Sequence, residues 1–160
     1  MKRKGLLAIA ERFPTHDVQF SNGGEHFDII NPFGKDSISV YIENDSNTPY
    51  MVCFSFNHVH LETPDQVIAY VNDIISGNVF AIGFFKEGRQ RIGGNLDAED
   101  VCALSYDTLA RFVHSFRDIK LIDVVDSLKV RGWMPDAYFD AKFIMDEEGN
   151  VSVQRMNTSL

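Results

Sequence analysis

Two histidines, His58 and His60, are the residues whose type and spacing most suggest chemistry. They lie in the run Phe54-Ser-Phe-Asn-His-Val-His60, which predicts a β-strand. Side chains two positions apart on a strand share one face and stand about 6.6 Å apart. Two imidazoles at that spacing can hold a divalent metal ion such as zinc. His58 and His60 are therefore a candidate metal site, and the alternative is a pair of half-exposed histidines with a structural role near a strand end.

A catalytic zinc ion needs three protein ligands and an open position for water. Glu62 has the same parity as the histidines but lies about 13 Å from His58 along a regular strand. Candidates from other segments are His26, Glu43 and Asp65. If a third ligand completed the site, the protein would be a metal-dependent hydrolase in which zinc-bound water is the nucleophile. We predict that no third ligand converges on the histidine pair, and hence that the protein needs no cofactor.

The two cysteines, Cys53 and Cys102, form no metal-binding or redox motif and, with apolar neighbours in sequence, are expected to be buried free thiols. Cys53 and His58 differ by an odd number of positions, which places them on opposite faces of one regular strand. Cys102 and His114 would lie about 18 Å apart along one continuous helix. Both spacings argue against a thiol nucleophile with a histidine base.

Trp133 is the candidate for contact with a protein partner. It lies in Arg131-Gly-Trp-Met-Pro135, which predicts a loop. An exposed tryptophan is a strong anchor at protein interfaces. The alternative is a tryptophan that plugs one end of the core, since this residue type is highly buried on average.

The charge of the chain restricts its partners. The chain has 160 residues and a net charge of −8. This charge repels nucleic acids and anionic membranes but suits a basic protein partner. The apolar run after the basic N-terminus ends at Glu11, which makes it too short for a signal peptide. We therefore expect a single cytoplasmic domain over residues 1–160.

Two main helices are predicted, at Thr63–Gly77 and Tyr106–Phe116. The first has Thr63 as N-cap, Pro64 at the first position and Gln66 for a capping box. Strands are expected at Val18–Phe20, His26–Ile30, Ser37–Glu43, Tyr50–Leu61, Val79–Lys86, Arg89–Leu96, Ile119–Val130, Tyr138–Met145 and Val151–Met156, with a short helix at Lys4–Phe13. Successive hairpins predict an α+β fold: a mostly antiparallel sheet of about six to eight strands with the two main helices packed on it.

Residues 50–96 resemble small acidic bacterial proteins of the immunity type, or uncharacterised proteins, associated with polymorphic toxin systems. The resemblance rests on Phe54-Ser-Phe-Asn-His-Val-His60, the helix from Thr63 and the hairpin that begins with Val79-Phe-Ala-Ile-Gly-Phe-Phe-Lys-Glu-Gly88. It implies a non-enzymatic cytoplasmic protein that binds a protein partner, and in the immunity-type case neutralises a cognate toxin.

Overall fold

The computed structural model describes residues 2–34, 36–43, 47–115 and 120–156. Within these residues the fold is α+β, with ten strands in two five-stranded antiparallel sheets. The helices are α1 Lys2–Ala10, α2 Pro64–Ile75, α3 Ala98–Cys102, α4 Tyr106–His114 and α5 Leu121–Val124. The strands are β1 Val18–Phe20, β2 His26–Ile29, β3 Ile38–Ile42, β4 Tyr50–Phe54, β5 Asn57–Leu61, β6 Val79–Lys86, β7 Arg89–Asp97, β8 Ser127–Arg131, β9 Phe139–Met145 and β10 Val151–Met156.

The first sheet has the order β1-β2-β3-β4-β5, so each strand pairs with its neighbour in sequence. One face of this sheet carries apolar side chains such as Ile38 and Val40. These side chains are fully buried in one core with Val67, Val71 and Ile74 of α2. The other face carries polar residues, as expected for an antiparallel sheet covered on one side. Helix α2 begins with the predicted capping box of Thr63 and Gln66.

The second sheet has the order β10-β9-β8-β6-β7 and forms a separate core. Ile82 and Leu128 are fully buried in it together with Val113 of α4. The closing hairpin turns through Asp146, whose carboxylate accepts hydrogen bonds from Glu148 N and from Asn150 N and Nδ2. The two bonds from Asn150 are the main reason that the pKa of Asp146 lies below its usual value.

The two sheets meet where the turn between β4 and β5 contacts the second sheet. The Phe56 ring packs edge-on against Phe85 with centroids 5.5 Å apart. The Phe56 carbonyl accepts a 2.9 Å hydrogen bond from Nε2 of Gln90. Gly83 and Gly93 make room for this turn, since a Cβ on Gly93 would lie 2.3 Å from the Phe56 oxygen.

The antiparallel α+β architecture is confirmed, but the predicted number of elements is wrong. The predicted single sheet is two sheets of five strands among the described residues. Residues 121–124 form helix α5 where a continuous strand was expected. The predicted ends Phe116 and Ile119 lie outside the described residues. None of the described helices is long and apolar enough to span a membrane.

Candidate functional site

The predicted strand Tyr50–Leu61 is a hairpin of two strands, β4 and β5, joined by Ser55 and Phe56. Ser55 has a positive φ of 51°. Hairpin turns of two residues demand this conformation, which is uncommon for a residue other than glycine, asparagine or aspartate.

This hairpin reverses the sequence argument about Cys53 and His58. The two residues are direct partners in the β4–β5 register. Direct cross-strand partners share a face, with Cβ atoms about 4.5–5.5 Å apart. The prediction of opposite faces was therefore wrong, because it assumed one continuous strand.

The polar face of the β4–β5 hairpin consists of four side chains with nitrogen or sulfur donors. Cys53 pairs with His58, and Met51 pairs with His60. Because residues i and i+2 share a face, all four point to the same side of the sheet. The four residues, Met51, Cys53, His58 and His60, are called the hairpin face below.

The two histidines of the hairpin face lie close together and are both exposed. Their ring centroids are 5.1 Å apart, with the ring planes at 87°. Nδ1 of His60 lies 2.8 Å from Oε2 of Glu43, which follows the end of β3. A carboxylate on Nδ1 fixes the orientation of the ring.

The other candidate metal ligands lie elsewhere. His26 stacks on Tyr41 at 4.6 Å between ring centroids, and its Nε2 is 3.9 Å from Asp28. Glu62 lies beyond the end of β5, and Asp65 is in the first turn of α2. As the side chains stand, the described part of the chain holds no group of three or more His, Cys, Asp or Glu residues arranged around one point.

The expectation that both cysteines are buried was wrong: Cys53 is half-buried on the hairpin face, and Cys102, at the end of α3, is exposed. Burial and, secondarily, the carboxylate of Glu43 raise the pKa of the Cys53 thiol above the usual value. Nucleophilic cysteines have lowered pKa values, because the thiolate is the reactive form. Cys53 and His58 are neighbours, but their surroundings oppose a thiolate nucleophile.

Trp133 is 3% exposed and belongs to the core beneath the first sheet. Its carbonyl accepts a 2.8 Å hydrogen bond from Nδ2 of buried Asn31. Trp133 also lines a depression of about 330 Å³ together with Phe80, Phe139 and Arg155. Trp133 is thus a core residue and not an exposed side chain on the surface. A partner would have to enter the depression to contact it.

A second depression, of about 510 Å³, lies between the end of α2 and the start of α3. Its lining includes the carboxylates of Asp73, Asp97 and Glu99 and no basic residue. Asn78 donates to Oδ1 of Asp73 at 3.3 Å and so fixes one of the three carboxylates. Sequence analysis missed this acidic depression, since its residues are separated in the chain and meet only in the fold.

Comparison of the chain with protein-family models, curated proteins and solved structures finds no match. The resemblance of residues 50–96 to immunity-type proteins therefore stays a prediction.

Proposed function

We propose that this protein is a non-enzymatic cytoplasmic binding protein that receives a basic surface of a protein partner in its acidic depression. The specific form that we favour is an immunity-type protein that neutralises a cognate toxin by covering a basic region of it. The observation that carries the proposal is the convergence of Asp73, Asp97 and Glu99 in one concave site. The net charge of −8 adds long-range attraction for a basic partner.

One carboxylate of this depression, that of Asp73, is placed against the stability of its own helix. Asp73 lies in the last turn of α2, and that turn holds no basic residue. A carboxylate there faces the negative end of the helix dipole, at a cost of about 0.3–1 kcal/mol. Lysine or arginine from a partner would remove this repulsion.

Asp97 is also available to a partner. It occupies the N-cap position of α3, but its side chain makes no capping hydrogen bond. Its carboxylate is exposed in the depression, as is that of Glu99. The lining contains no lysine or arginine, so a basic partner would be complementary in charge to the depression.

The metal-dependent hydrolase has weaker support. A catalytic metal is expected in a cleft that shields the reaction from water. His58 and His60 lie on an exposed strand and line neither of the two depressions described above.

Charge reversal in the acidic depression tests the proposed function. The partner is first co-purified with the wild-type protein from the native cells. We expect the double variant Asp97→Lys/Glu99→Lys to bind this partner at least about tenfold more weakly, a loss of about 1.4 kcal/mol. Titration calorimetry at two salt concentrations measures the affinity, which should fall as salt rises.

The matched control is Glu147→Lys/Glu148→Lys at the tip of the exposed β9–β10 turn. Each reversal adds two charges, so both double variants change the net charge from −8 to −8 + 4 = −4. The control should keep nearly wild-type affinity at physiological salt. An equal loss of affinity in both double variants would show that only the net charge matters, and would contradict a specific role for the acidic depression. Turnover of a small molecule by a protein that captures no partner would overturn the proposed function.

A further inference from the structure

The depression beside Trp133 has the lining of a small-molecule site. Its volume is about 330 Å³, and pockets for small ligands range from about 300 to 1,000 Å³. Aromatic side chains from three separate segments form its walls: Phe80 of β6, Phe139 of β9 and Trp133 of the loop that follows β8. Ligand pockets are typically apolar and contain a few polar groups that orient the ligand. This site is called the aromatic depression below.

Arg155 of β10 places a guanidinium group in the wall of the aromatic depression. Two contacts hold this group in position: its Cζ lies 4.1 Å from the centroid of the Phe139 ring, and its Nη2 donates a 3.3 Å hydrogen bond to the carbonyl of Val101. Within the described part of the chain, Arg155 forms no ion pair with a carboxylate. A guanidinium has five N–H donors in a planar fork that matches a carboxylate, so Arg155 keeps donors for an anionic group of a ligand.

Asp136 adds the opposite charge to the aromatic depression. It lies in the short 3₁₀ helix Pro135–Ala137, lines the depression and is exposed. A ligand with a carboxylate alone would be attracted by Arg155 but repelled by Asp136. A ligand that carries both a carboxylate and an ammonium group, on an apolar body, is complementary to both side chains and to the aromatic walls.

We propose that the aromatic depression binds a free α-amino acid with a large apolar side chain, such as phenylalanine. The α-carboxylate accepts hydrogen bonds from Arg155, and the α-ammonium donates to the carboxylate of Asp136. The apolar side chain packs against the three aromatic walls. The site shares no residue with the acidic depression, so its occupancy does not depend on the proposed function.

The fluorescence of Trp133 tests the site directly, because this residue is the only tryptophan in the chain and lines the depression. L-phenylalanine is titrated into the wild-type protein, with excitation where phenylalanine does not absorb. We expect a saturable change that fits one site with a Kd of about 1 mM or lower. Glycine, which lacks the apolar side chain, should give no saturable change.

Two analogues remove one charge of the ligand and leave the protein unchanged. L-phenylalaninamide lacks the carboxylate, and N-acetyl-L-phenylalanine lacks the ammonium group. Each should bind at least about tenfold more weakly than L-phenylalanine, because each loses a hydrogen bond between charged groups. N-acetyl-L-phenylalanine also imitates the last residue of a peptide, so it distinguishes a free amino acid from the end of a protein partner.

Two variants test the same contacts from the protein side. Arg155→Met should weaken binding of L-phenylalanine by at least about tenfold but should not weaken binding of the amide. Asp136→Asn should weaken binding of L-phenylalanine but not that of the N-acetyl compound. The matched control is Arg91→Met, which removes an exposed arginine outside the aromatic depression and should keep wild-type affinity.

Three results would overturn the proposal. These are no saturation by L-phenylalanine up to about 10 mM, binding of N-acetyl-L-phenylalanine as tight as that of the amino acid, and equal losses of affinity in Arg155→Met and Arg91→Met. If Arg155→Met does not fold, the two analogues decide with the wild-type protein.

Discussion

Replacing Arg131 by methionine is expected to lower the free energy of unfolding by about 3 kcal/mol, measured by urea denaturation. NH2 of Arg131 lies 2.8 Å from Oδ1 of Asp140, and the two side chains are 15% and 17% exposed. Oδ1 of Asp140 is buried and has no hydrogen-bond partner among the described residues, so the contact with Arg131 is an ion pair. Removing one charge of a fully buried pair leaves the other uncompensated and typically costs about 3–5 kcal/mol. This pair is only partly buried, so we expect a loss at the lower end of that range.

The Arg131 guanidinium also joins the two sheets. It lies 5.6 Å from the centroid of the Phe56 ring and 5.3 Å from that of Tyr138. Its NH1 donates to the carbonyls of Val130 and Phe139. Methionine keeps much of the apolar stem but removes the cation–π contacts and these hydrogen bonds.

The double variant Arg131→Met/Asp140→Asn distinguishes the contribution of the ion pair to stability from that of the packing around Arg131. It should recover part of the lost stability, because no uncompensated charge then remains. The exposed Arg91→Met serves as control and should change stability by less than about 0.5 kcal/mol. An Arg131→Met protein as stable as wild type, or a double variant no better than the single, would contradict this account of the junction.

The second large effect is expected for Gly93→Ala, which should destabilise the fold by about 2–3 kcal/mol in the same assay. The added Cβ would lie 2.3 Å from the Phe56 oxygen and 2.9 Å from Nε2 of Gln90. A backbone oxygen cannot move without shifting the β4–β5 turn, so the hairpin must separate from β7. Forced overpacking of this kind typically costs about 1–3 kcal/mol.

Gly23→Ala is the matched glycine control. Its added Cβ would meet only the Glu25 side chain, at 3.5 Å and beyond, and its φ is not positive. Its stability should therefore stay close to wild type. If Gly93→Ala is equally mild, the close contact between Gly93 and the Phe56 carbonyl does not hold the two sheets together.

The parts of the fold that sequence predicted well are those with local causes. Helix α2 was predicted because Thr63, Pro64 and Gln66 form its start and Gly77, at φ 75°, follows its end. The alternation of apolar and polar residues predicted the bounds of β3 to within one residue at each end. These signals lie within the element itself and need no tertiary contact.

The β4–β5 turn was missed because its causes are not local. Phe54-Ser55-Phe56-Asn57 has no glycine to mark a turn, and Ser55 takes a positive φ. The turn is held instead by Phe56, which contacts Gly83, Phe85 and Gln90 more than 25 residues later in the chain. Missing this turn also hid the pairing of Cys53 with His58, and with it most of the hairpin face.

The acidic depression could not be predicted from sequence for a similar reason. Asp73 lies near the end of α2, while Asp97 and Glu99 follow an entire intervening hairpin. Their negative charge was visible in composition, but their convergence depends on how α2 and α3 are placed by the two sheets.

Zero-length carbodiimide coupling between this protein and its co-purified partner tests the central claim most directly, because it joins carboxylates to lysines already in contact. The account predicts that mass spectrometry finds partner lysines coupled to Asp73, Asp97 or Glu99, the carboxylates of the acidic depression. Coupling confined to exposed carboxylates elsewhere, such as Glu147 and Glu148, would contradict the account.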